Sequence, residues 1–105
     1  MTTLPHCRVP KHLELGLPKF ELGQLAITPA AIACLEQAGV SVFQLLDRHV
    51  AGDFGDLCAD DMRANLQAIT SGARILSSYQ VGNEKVYLIT EGSREATTTL
   101  LAREY

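Results

Sequence analysis

The spacing of apolar residues changes once along this chain. From Thr28 to Ser71 apolar positions recur at three- and four-residue intervals, the period of helices with one buried face. From Ala73 onward the interval drops to two, the period of strands. TPAAIACLEQAG reads as a first helix with Thr28 as N-cap, Pro29 in the first turn and Gly39 as stop, and with Ile32 and Leu35 inward. SVFQLLDRHVAG reads as a second, opened by a Ser41–Gln44 capping box, with an apolar stripe of Val42, Leu45, Leu46 and Val50. A third is expected over Ala59–Ser71, its stripe Met62, Leu66 and Ile69, with Asp60 and Asp61 in its first turn.

ARILSSYQV then predicts a strand with Ile75, Ser77, Tyr79 and Val81 on one face. Gly82-Asn83 is a hairpin turn. KVYLIT is apolar on both faces, as suits a central strand covered on both sides, and ATTTLLA supplies a third strand rich in β-branched residues. Ahead of the helices, Phe20–Ile27 reads as a short strand. The expected class is α+β, in the order β-α-α-α-β-β-β: an antiparallel meander of three to four strands with helices on one face. Residues 1–19, with Pro5, Pro10 and Pro18, read as an extended arm, and 20–105 as one domain.

Composition narrows the functional classes. Of 105 residues 47% are hydrophobic and 20% charged, the range of a globular domain. The net charge is −3, with the acidity concentrated between residues 24 and 70. Low basicity and six aromatics argue against nucleic acid as a partner. No apolar run reaches membrane-spanning length, and the N-terminus lacks a signal-peptide core, so a cytoplasmic protein is expected. Cys7, Cys34 and Cys58 are too far apart for a zinc or redox motif and read as free buried thiols.

The densest polar stretch, Arg48–Asp61, holds His49, Asp53, Asp56, Asp60 and Asp61. Its spacing fits neither an EF-hand nor a zinc motif, so no metal and no cofactor are expected. Asp53 and Asp56 flank Gly55 and read as turn-holding carboxylates, although with Tyr79 they are also the candidate ligand-binding residues. His49, near a helix end, is either structural or an acid/base. His6, Cys7 and His12 have no ligand spacing. Arg74 and Arg94 could hold a phosphate, but Arg74 and Tyr79 fall on opposite strand faces. Ion pairing to Glu91 or Glu95 is the simpler role for Arg94.

From about Leu22 onward, LGQLAITPAAIACLEQAG, RHVAGDFGDL, ARILSSY, KVYLITE, TTTLL and the final EY resemble a family of short bacterial proteins. These are often encoded on plasmids or near mobile elements, and some are labelled as related to type I restriction. The resemblance implies matching positions at His49, Gly52, Asp53, Gly55, Asp56, Arg74, Ser77, Tyr79, Arg94, Thr98, Glu104 and Tyr105. Phe54 replaces the family's usual Trp, Cys58 an acidic cap, and Ala102 a proline. The resemblance brings no established activity. Three readings follow: a non-catalytic accessory module binding another protein or itself; a RelE-like ribonuclease toxin using His49, Arg74 and Arg94; and, ranked last, a metal enzyme built on the aspartate turn.

Overall fold

A computed structural model describes residues 18–105. It is built from β1 (Gln24–Ile27), α1 (Pro29–Ala38), α2 (Val42–Val50), α3 (Ala59–Ser71), β2 (Ile75–Val81), β3 (Glu84–Thr90), β4 (Ala96–Leu101) and a closing 3₁₀ turn, Ala102–Glu104. The helix limits follow from local chemistry. Thr28 accepts the Ala31 N–H through its hydroxyl, both halves of the Ser41–Gln44 capping box form, and Gly39 and Gly72 take the left-handed conformation that closes α1 and α3. Cys58 occupies the α3 N-cap without a side-chain bond.

β2, β3 and β4 form the expected antiparallel meander, but the sheet is mixed. β1 joins it parallel to β4, giving the order β1-β4-β3-β2. β1 is also half the expected length, because Gly23 at φ 68° turns the chain just before it. That turn frees Phe20 and Leu22 to pack inward instead of extending the strand.

Register divides the sheet into two faces. Ile75, Ser77, Tyr79, Val81, Val86, Leu88, Thr90, Thr97, Thr99 and Leu101 point to the helices. The main core joins Tyr79, Val81, Val86, Leu88 and Leu101 to Ala31, Leu35, Leu45 and Leu46. A smaller cluster of Phe54, Ala68 and Ile75 lies beneath α3. No described helix covers the other face, where Ile89 is buried and Tyr87 half-buried.

Two expected inward faces are rotated. In α1, Ala31 and Leu35 are buried, while Ile32 is 39% exposed. In α3, Asn65 and Ala68 are buried, and Met62 and Leu66 are 37% and 55% exposed. For α3 the cause is the edge of β2. The Asn65 side-chain amide donates to the Leu76 carbonyl (2.6 Å) and accepts the Leu76 N–H (3.1 Å), acting as a one-residue substitute for a neighbouring strand. Among the described residues, no single helix is long and apolar enough to cross a membrane; α1 and α2 have the length and composition only together, and meet at 103°.

Candidate functional site

His49 is the candidate whose surroundings depart most from expectation. It sits on the apolar stripe of α2, one turn after Leu45, and the helix turns it onto the sheet, where none of its surface is exposed. Nδ1 lies 2.5 Å from the Ser77 hydroxyl and Nε2 lies 2.8 Å from the Thr90 hydroxyl. Thr90 in turn bonds Thr97 (2.7 Å), and Thr97 donates to the Leu22 carbonyl (2.7 Å). Phe20 and Phe54 meet the ring edge-on, with centroids at 5.1 and 6.4 Å.

The proton directions follow from the end of this chain. A carbonyl only accepts, so the Thr97 proton is committed to Leu22. Thr97 therefore accepts from Thr90, and Thr90, its proton spent, accepts from His49 Nε2–H. The neutral ring then has Nδ1 free to accept from Ser77. Every hydroxyl and both ring nitrogens are satisfied with the imidazole neutral. Burial without a carboxylate pushes the His49 pKa down to about 4. The histidinium that a helix C-terminus would favour in water is thus not the form this site holds.

A serine, a histidine and a threonine in hydrogen-bonded series have the topology of a nucleophile, its base and an orienting group. The environment removes the chemistry. Ser77, His49 and Thr90 all have no exposed surface. A ring with so low a pKa is also a weak base at neutral pH. The groove described at the surface, of 480 Å³, lies elsewhere, lined by residues including Ala30, Cys34, Gln37, Gly82, Glu84 and Arg103.

The aspartate turn packs against the outer edge of β2. Phe54 accepts the Ser78 N–H and Asp56 N–H donates to the Ser78 carbonyl, a one-bridge continuation of the sheet. Gly55, at φ 76°, makes this approach possible, since a Cβ there would collide with the Ser78 carbonyl. Asp53 accepts the Gly55 N–H (3.3 Å) and pairs with Arg48 (2.7 Å), whose guanidinium lies 4.5 Å from the centre of the Tyr79 ring. The Arg48 hydrogen bond holds the Asp53 carboxyl below its ordinary range. The Tyr79 hydroxyl donates to the Asp53 carbonyl (2.6 Å), and burial raises its pKa. The Asp53 carboxylate thus holds the turn as expected. Asp56 contributes its backbone, with no side-chain bond described.

The remaining candidates separate. Arg94, itself at φ 64°, spends its guanidinium on backbone carbonyls, of Ala68 (2.6 Å), Ala73 (2.7 Å) and Glu91 (3.1 Å). It stitches the β3–β4 turn to the end of α3, and forms no described ion pair with Glu91 or Glu95. Arg74 lies over Tyr105, and the strand's alternation puts it on the sheet face opposite Tyr79. Glu104 accepts from Leu101 N–H and the Thr28 hydroxyl, each at 2.8 Å, and these bonds lower its pKa. Of the cysteines, Cys34 is half-buried and Cys58 exposed, not buried as expected. No group of three potential metal ligands occurs among the described residues. His6, Cys7, His12 and all but the end of the expected arm lie outside them.

Sequence reasoning missed Thr90 and Thr97, which read only as strand formers. The available signal was polar residues at inward positions. Ser77 shares a face with Ile75 and Tyr79, and His49 shares a stripe with Leu45. Polar groups so placed must find one another. Comparison with family models, curated proteins and solved structures returns no match.

Proposed function

We propose that this protein is a small non-catalytic accessory module that binds another protein, or a second copy of itself, along the outer edge of β1. The observation that carries this reading is the unequal treatment of the two sheet edges. The β2 edge is closed by Asn65 and by the Phe54–Asp56 turn. The β1 edge has no described partner, and its strand, Gln24–Ile27, contains no charge, proline or bulge that would discourage pairing. Gln24 and Thr28 give their N–H groups to the carbonyls of Glu95 and Thr99 on the β4 side, so those of Leu25 and Ile27 face outward. Leu25 is 48% exposed beside them. A backbone ladder with one apolar side chain in reach is the pattern of strand addition.

The ribonuclease reading gains no support from the geometry. It needs His49, Arg74 and Arg94 around one phosphate, whereas His49 is sealed, Arg94 is bound to carbonyls and Arg74 lies over Tyr105. A cytoplasmic setting and a bacterial mobile-element context belong to this proposal and rest on the sequence and its resemblance.

The test is a photo-crosslinking residue at Gln24 in the full chain, expressed in a bacterial host. One discrete adduct is expected, with a second copy or with one other protein. Leu25→Pro removes an outward N–H without touching the β4 ladder and should abolish it. No adduct, or one that survives Leu25→Pro in a folded chain, contradicts the proposal.

A further inference from the structure

The face of the sheet that no described helix covers presents Gln24, Ala26, Leu76, Ser78, Gln80, Lys85, Tyr87, Ile89, Ala96, Thr98 and Leu100 by register. None of these positions is acidic. Cross-strand rows place Thr98 beside Ile89, and Tyr87 between Leu100 and Ser78. The Tyr105 ring meets Tyr87 edge-on at 5.8 Å, is 62% exposed, and carries the Arg74 guanidinium over it at 5.8 Å. Neither Arg74 nor Lys85 has a carboxylate partner within 4 Å among the described residues.

We infer that this face binds single-stranded nucleic acid, with Tyr87 and Tyr105 as stacking surfaces and Arg74 and Lys85 as phosphate contacts. The chain's net acidity argues against a polyanion, but its distribution does not. Six acids against two arginines fall in residues 24–70, which hold α1, α2 and nearly all of α3, while the only charged strand position on the open face among the described residues is Lys85, with Arg74 flanking β2. Charge complementarity therefore selects an anionic occupant for this face. The exposed Tyr105, the half-buried Tyr87 and the neutral donors Thr98 and Gln80 select one with flat rings and polar edges, which an acidic peptide lacks. Aromatics on a sheet face need no sequence-specific bonds to hold unpaired bases. This surface is separate from the β1 edge, and the inference stands or falls independently of the protein-binding proposal.

Fluorescence anisotropy of the full chain with a labelled, mixed-sequence single-stranded RNA of about 12 nucleotides tests it. Saturable binding at low salt is expected. Arg74→Ala and Tyr87→Ala should each weaken it about tenfold, while Tyr87→Phe, which keeps the ring, changes it less than about twofold. Two phosphate contacts give a log–log salt slope of about −1.4. Tyr105→Ala lies outside every strand and carries the same expectation, so a folding defect at Tyr87 does not spare the inference. No saturable binding, binding indifferent to these variants, or displacement by polyglutamate as readily as by RNA would each overturn it, the last marking an acidic-peptide surface.

Discussion

His49 shows how one residue can be fixed by what surrounds it. Its neutral ring has four satisfied neighbours in series, and protonation would set a second N–H against the Ser77 hydroxyl with no carboxylate to compensate. The folded chain holds the proton off down to about pH 4, whereas the unfolded chain takes it up near 6.5. Between those values the unfolded state binds more protons, so stability is full above about 6.5 and falls as the pH drops toward 4, by about 3 kcal/mol. Urea melts across that window should show the loss. His49→Ala should cost about 3 kcal/mol near neutrality and remove that part of the pH dependence, leaving the more acidic contribution of carboxylates such as Asp53. Asp53 itself offers a milder test. Asp53→Asn keeps an acceptor for Gly55 N–H and should change stability by less than about 1 kcal/mol, since the Arg48 pair is half-exposed. Asp53→Ala should cost about 1 kcal/mol more, and equal melts for the two variants would contradict the turn-holding role.

At the level of elements, α3 separates apolarity from burial. Asn65→Ala should cost about 2 kcal/mol by leaving the Leu76 N–H and carbonyl unpaired, while Leu66→Gln should stay within about 0.5 kcal/mol. The reverse order in thermal melts would restore the apolar stripe as the packing face. Gly55→Ala should cost about 2 kcal/mol or more, because both its φ and its contact with Ser78 exclude a side chain. These elements also mark what was legible beforehand. Thr28, Ser41–Gln44 and Gly39 fix helix limits through bonds to residues within a turn, so they can be read locally. The parallel β1–β4 pairing depends on Gly23 and on a strand more than seventy residues later, which no local pattern reports. His49 was visible as a candidate, but Ser77 and Thr90 lie 28 and 41 residues away, and their meeting is a property of the assembled sheet.

For the whole molecule, the helix layer meets the sheet through two apolar clusters with the His49 chain of hydrogen bonds between them. That arrangement seals Ser77, His49 and Thr90 inside the fold, while the β1 edge has no described partner and no described helix covers the far sheet face. The non-catalytic account therefore rests on the state of one ring. Long-range ¹H–¹⁵N correlation of the histidine ring nitrogens in the full chain, followed with pH, reads that state directly. The account predicts a His49 ring protonated at Nε2 alone, with Nδ1 as acceptor, and no titration until about pH 4. A His49 ring that titrates near its ordinary 6.5, or carries its proton on Nδ1, would contradict it.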